Sequence, residues 1–130
     1  MLSRILVVDD DPALREIAAE FLSAHGYQVS TAGSGEEALS KLERGAVELL
    51  LTDDGLGEMR GVELIARAAE RGLLRGTACV LMTGLLPSRV PHGTLVLEKP
   101  FETSCLLDMV AAATWESARR RAIDAGAPLA

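Results

Sequence analysis

The chain has 130 residues, 48% of them hydrophobic, and its 13 basic and 19 acidic residues leave a formal net charge of −6. That is enough apolar material for one domain with its own core, which excludes a disordered chain on composition. The acid excess offers no counterion-releasing surface, so neither nucleic acid nor an anionic membrane is expected as a direct partner.

Aromatic residues are only 3%, so Leu, Val, Ile and Ala must fill the interior. No apolar run approaches the roughly 20 residues of a membrane helix. The opening MLSRILVV meets aspartates too soon to be a signal peptide. Cys79 and Cys105 lack metal-type spacing, and Cys79, inside ACVLM, reads as a buried thiol. Reduced thiols suit a soluble, cytoplasmic protein, which is the expectation here.

In chain order, RILVV (4–8), YQVSTA (27–32), VELLLT (47–52), TACVLMT (77–83) and TLVLE (94–98) read as strands. Consecutive apolar residues such as ILVV and LLL suit strands covered on both faces. Between the first two, Leu14, Ile17, Ala18, Phe21 and Leu22 share one helical face, ended by Gly26. Ser34 and Glu37 form a capping-box pair for a second helix ending near Gly45. Gly61 to Arg71 is a third, with Leu64, Ile65 and Ala68 inward and Gly72 as its stop. The last helix spans Thr103 to about Ile123, and Arg119, Arg120 and Arg121 suit its C-terminal end. Alternating strands and helices imply a doubly wound α/β fold with right-handed crossovers. The alternation fails once, at residues 84–93, where Pro87 and Pro91 leave room for one irregular helical turn at most. The expected organisation is one domain over 1–126, a short tail at 127–130 and no further domain.

The chemistry gathers at strand ends. Asp11 before Pro12 is a ready-made helix N-cap, which leaves Asp9 and Asp10 at the end of the first strand. Asp53 and Asp54 close the third strand, Thr83-Gly84 the fourth and Lys99-Pro100 the fifth. Ligands of open α/β sheets bind beyond the carboxyl ends of the strands. Two carboxylates roughly 4 Å apart repel by about 4 kcal/mol at an effective dielectric of 20, so three call for a counterion. A hard, partly hydrated divalent cation, Mg²⁺ best of all, satisfies them. With Mg²⁺ and Lys99 shielding the charge, Asp53 is placed to attack phosphorus.

The motifs VVDDDP, LTDDGLGEMRGVEL, LMTG and LEKPF, in this order, resemble the receiver domain of bacterial two-component response regulators. The resemblance implies a flavodoxin-like, five-stranded parallel sheet of order 2-1-3-4-5, an order that chemotaxis receivers exemplify, with the fourth helix short or missing. It implies that Asp53 takes a phosphoryl group from a phosphohistidine on a histidine kinase or histidine phosphotransfer protein, for the benefit of a downstream protein target. It further implies Mg²⁺ held by Asp10 and Asp53 directly, by Asp9 through water and by the Gly55 backbone carbonyl. Thr83 and Lys99 would contact the phosphoryl oxygens, Lys99-Pro100 would be a cis peptide, and Asp54 would point away from the metal.

Three departures from the family pattern bear on function. Leu56-Gly57 replaces a usual Met-Pro pair, so that loop is expected to be more flexible. Val96 stands where a switching aromatic residue often lies, which argues against a threonine–aromatic relay. The thin 84–93 segment removes part of a common docking face, and phosphorylation is expected to order it. Gly55 and Leu85 offer an attacking water no polar side chain, so slow self-hydrolysis is expected. Competing readings are a receiver-like interaction module that is never phosphorylated and a haloacid-dehalogenase-type phosphatase suggested by Asp9-x-Asp11. Nucleotide binding through Gly33, Gly35 and Ala38 is weaker still, since Glu36 and Glu37 would repel a pyrophosphate.

Overall fold

The fold follows from the apolar runs. The structure, a computed structural model, describes residues 3–87 and 89–126. Its elements are β1 (Arg4–Val8), α1 (Pro12–Ala24), β2 (Gln28–Ala32), α2 (Gly35–Arg44), β3 (Leu49–Asp53), β4 (Gly55–Leu56), β5 (Met59–Arg60), α3 (Gly61–Glu70), β6 (Ala78–Thr83), β7 (Leu95–Glu98) and α4 (Thr103–Asp124). Five strands form one parallel sheet in the order β2-β1-β3-β6-β7. Counted among themselves, these strands have the order 2-1-3-4-5 expected from the sequence. Ile5, Val7, Leu49, Leu51, Val80 and Met82 pack under α1 and α4, while Leu6, Val8, Leu50 and Leu81 pack under α2 and α3. Both faces are therefore dry, which is why the strands are apolar on consecutive residues.

The caps behave as their chemistry requires. Asp11 Oδ1 accepts from the Ala13 and Leu14 N–H groups at 3.0 and 3.4 Å, with Pro12 as first residue of α1. Ser34 Oγ accepts from Glu37 N–H at 3.1 Å, and Glu37 Oε1 accepts from Gly33 N–H at 2.9 Å, one residue earlier than an ideal capping box. That bond holds the Glu37 carboxyl below its ordinary pKa. It also occupies the first glycine of the nucleotide-like motif.

Helix α1 departs from its expected packing. Leu22 is fully buried, yet Leu14 is 50% and Ile17 62% exposed. The helix is amphipathic, but its first two turns overhang the sheet, lining an open groove with Phe101 and Leu106. The loop after Asp53, where the sequence suggests no regular structure, folds back as a two-rung antiparallel ladder pairing Gly55 with Arg60 and Leu56 with Met59. Gly57, at φ +78°, makes the tight reversal, and buried Leu56 and Met59 anchor it. Between β6 and β7 no helix occurs among the described residues, in accord with the shortened fourth-helix region. The expected tail at 127–130 lies outside the described residues.

The amino end of the sheet is fastened by polar contacts. Glu48 accepts from Arg4 N–H at 2.8 Å and from Arg121 Nη1 at 2.7 Å, while Arg121 Nη2 and Thr77 Oγ1 donate to the Val47 carbonyl at 3.2 and 2.6 Å. Ser117 Oγ donates to the Gly76 carbonyl. Burial alone would raise the Glu48 pKa, but the donors from Arg121 and Arg4 outweigh it and the net shift is downward. Arg119 and Arg120 instead pair with exposed Glu116 on their own helix. Cys79 is buried, and burial pushes its thiol up to about 12, while Cys105 is exposed. No helix among the described residues is long and apolar enough to cross a membrane.

Candidate functional site

Parallel strands place all their carboxyl ends at one edge, and that edge collects the polar residues. β1 and β3 are direct neighbours, with Val8 opposite Thr52, so the residues following Val8 and the end of β3 meet. Asp9, Asp10 and Asp53 each offer a carboxylate oxygen, and these oxygens lie within 4.8 Å of one another. Asp9 is buried, Asp53 half-buried and Asp10 exposed.

Each group is held in its own way. Asp9 Oδ1 accepts from Asp11 N–H at 3.0 Å, and its carbonyl accepts from Arg15 Nη1 at 2.9 Å. Burial pushes the Asp9 carboxyl above its ordinary pKa; the Asp11 N–H opposes this, and the Asp53 charge adds to the rise. Asp53 is held from two sides, by Lys99 Nζ on Oδ1 at 2.5 Å and by Gly55 N–H on Oδ2 at 3.1 Å. Gly55 thus touches the Asp53 carboxylate through its N–H. Thr83 ends β6 and is buried, with its hydroxyl donating to the Leu85 carbonyl at 2.7 Å and accepting from Leu85 N–H at 3.1 Å. Lys99 is tied to Thr83 through the backbone, Lys99 N–H donating to the Thr83 carbonyl at 2.8 Å, and the following Lys99-Pro100 bond is cis. The structure therefore brings together all the residues singled out in the sequence: Asp9, Asp10, Asp53, Gly55, Thr83 and Lys99.

Asp54 turns the other way. It is 6% exposed, pairs with Arg60 Nη2, and accepts from Val62 N–H through Oδ1 at 3.3 Å. Its carbonyl accepts from Gly61 N–H at 2.9 Å, so Asp54 caps the start of α3 from six residues upstream of its N-cap position. Sequence reasoning passed over Arg60 and Arg15. The only signal for Arg60 was a cation at a helix start, where cations are disfavoured.

The donor set is all oxygen and three-fold anionic, which fits a hard divalent cation such as Mg²⁺. Beside it stand one ammonium group and one hydroxyl, donors for an anion. The edge therefore presents a cation seat and an anion seat that share Asp53.

Comparison with known proteins agrees with that geometry. The family model for the response regulator receiver domain matches residues 5–111. The chain belongs to the response regulator receiver family. Among its relatives is the response regulator receiver protein CpdR of Brucella abortus, 32% identical over 115 residues, covering 84% of this receiver and 94% of CpdR. The sensor histidine kinase RcsC of Salmonella typhimurium is 41% identical over 69 residues, 53% of this receiver but only 7% of RcsC. Among solved structures, the response regulator TrrA of Thermotoga maritima, in complex with Mg²⁺-BeF, superposes with a TM-score of 0.74 at 29% identity, covering 86% of this receiver and 99% of TrrA. The receiver is a module of two-component signalling.

Proposed function

We propose that this receiver accepts a phosphoryl group on Asp53 and passes on or reports a signal in that form. The observation that carries the reading is the double engagement of Asp53, which lies within 4.8 Å of the Asp9 and Asp10 oxygens while Lys99 Nζ holds its Oδ1 at 2.5 Å. The donor would be a phosphohistidine on a histidine kinase or histidine phosphotransfer protein in the cytoplasm, as the kinship with a sensor kinase suggests. The readout would be a downstream protein target.

The chemistry balances simply. An Asp53 carboxylate oxygen forms a bond to phosphorus as the N–P bond of the donor breaks, and the electron pair returns to the imidazole nitrogen. Lys99 stays near the acceptor carboxylate and offsets charge building on the phosphoryl oxygens. Thr83 must release Leu85 before its hydroxyl can donate to one of those oxygens. Mg²⁺, held by Asp10 and Asp53, by Asp9 through water and by the Gly55 carbonyl, would supply electrostatic shielding of the transferred group. TrrA, solved with Mg²⁺-BeF, supports that assignment by kinship.

The phosphatase reading loses support, because Asp11 spends its carboxylate capping α1. The unphosphorylated-module reading is separated by experiment. Incubation with a small phosphodonor and Mg²⁺, followed by intact mass, should add one phosphoryl group to the wild type and none to Asp53→Asn. An unmodified wild type would refute the proposal.

A further inference from the structure

Arg60 occupies the N-cap position of α3, where Ser, Thr, Asp or Asn would be favoured, and it makes no capping bond. Asp54 performs that task instead, through its carbonyl to Gly61 N–H and its Oδ1 to Val62 N–H. An arginine here places positive charge against the positive end of a helix, so helix stability does not explain it.

Its surroundings do. Arg60 lines one open cavity of about 380 Å³ together with Asp53, Asp54, Gly55, Thr83, Gly84, Leu85 and Lys99. The β4–β5 ladder sets Arg60 directly opposite Gly55, whose N–H already touches Asp53 Oδ2. Of the described side chains facing that cavity, only Thr83, Lys99 and Arg60 can donate a hydrogen bond. Gly55, Gly84 and Leu85 contribute none, and Asp53 and Asp54 accept. Around the edge Asp9, Asp10, Asp53 and Asp54 carry four negative charges against Lys99, Arg60 and Arg15, and of these cations Arg15 is held on the Asp9 carbonyl. A phosphoryl group on Asp53 presents three acceptor oxygens and brings its own negative charge into the cavity.

We propose that Arg60 is a second phosphoryl-binding cation, joining Lys99 once Asp53 carries phosphorus. This rests on the phosphoacceptor reading of Asp53. The guanidinium need not abandon Asp54 to do so. It holds Asp54 through Nη2 alone, and its planar fork keeps other N–H groups able to reach a phosphoryl oxygen. Bridging spares the buried Asp54 carboxylate an unpaired state, which a full exchange would impose. The side chain is 53% exposed, so its rotation displaces little packing. In this arrangement Asp54 is a positioning residue that keeps the guanidinium over the cavity.

Calorimetric titration of the whole chain with beryllofluoride in the presence of Mg²⁺ tests this. Loss of one charge-assisted contact should weaken beryllofluoride binding by about tenfold in Arg60→Gln. Arg60→Lys should recover part of that loss, since a point charge replaces a fork. Arg67→Gln removes an equally exposed cation from α3 that pairs only with Glu63 on its own helix, so its affinity should stay near that of the wild type. Mg²⁺ affinity without beryllofluoride should be unchanged in Arg60→Gln. Wild-type affinity in Arg60→Gln would overturn the inference. So would equal weakening in Arg60→Gln and Arg67→Gln, which would make the effect one of net charge and not of contact. A wild type that takes up neither beryllofluoride nor phosphoryl mass would instead sink the phosphoacceptor reading itself, so the two failures are distinct.

Discussion

Gly61 offers the sharpest test of how tightly the acceptor is held. A β-carbon at this position would lie 2.5 Å from the Asp53 carbonyl oxygen, 2.8 Å from Leu81 Cδ1 and 3.0 Å from Asp54 Cα. Two of those three neighbours are backbone and cannot rotate away. Gly61→Ala gains about 0.5–1 kcal/mol from helix propensity and reduced freedom of the unfolded chain. Overpacking against a fixed backbone costs about 1–3 kcal/mol. A 2.5 Å approach to fixed backbone belongs in the upper part of that range, about 2–3 kcal/mol, so the clash wins with a net loss of about 1–2.5 kcal/mol. In a domain of this size that lowers the melting temperature by about 4–10 °C. The displaced atoms belong to Asp53, the proposed acceptor, so the rate of phosphorylation by a small phosphodonor should fall with stability, by about tenfold or more. Gly45→Ala is the control, because its φ of 178° is ordinary extended backbone and no atom lies within 4 Å of the added carbon. Denaturant melts and a phosphorylation time course read both effects. A Gly61→Ala variant as stable and as quickly phosphorylated as Gly45→Ala would refute the idea that α3 is pressed against the acceptor.

Three further outcomes follow from the charges and loops. Asp9 has a raised folded pKa, so its contribution to stability is largest at low pH and is lost as pH climbs past that value; Asp9→Asn should therefore be more stable than wild type at neutral pH without metal, and Mg²⁺ should stabilise it less, both by thermal melts. Glu48 has a lowered folded pKa, so its contribution is present above the unfolded value of about 4.3 and disappears as pH falls through the folded one. Glu48→Gln should cost about 1–2 kcal/mol in urea melts at pH 7, and the gap should close in acid; a gap that persists there would contradict the assignment. Leu85 N–H, bonded to Thr83 Oγ1 in this form, should change its hydrogen-exchange rate when beryllofluoride and Mg²⁺ are added, whereas unchanged exchange at Leu85 would mean that Thr83 does not move.

The strands were legible because ILVV, LLL and CVLM are apolar without a break, a pattern only a doubly covered sheet needs. The site residues were legible for a related reason: each lies within four residues after an apolar run, so its place at a strand end came with the strand. Burial on α1 was not legible. Period 3.6 groups Leu14 and Ile17 with Leu22, but it says nothing of where the sheet beneath them stops. The β4–β5 ladder escaped notice because two residues per strand are too few to show a period. Arg60 escaped because its partner, Asp54, reads as pointing away from the metal, and nothing in the sequence marks it as a remote helix cap. The short segment between β6 and β7 was visible through its prolines, and the structure shows no helix there among the described residues.

The contacts around Glu48, Arg121 and Val47 sit at the amino edge of the sheet, at the opposite end of β3 from Asp53. Integrity and reactivity thus have separate addresses. A crowd of mutually repelling acids can persist at one rim because the opposite rim carries the bolts. The same division would let the reactive rim gain and shed the proposed phosphoryl group without loosening the frame that displays it.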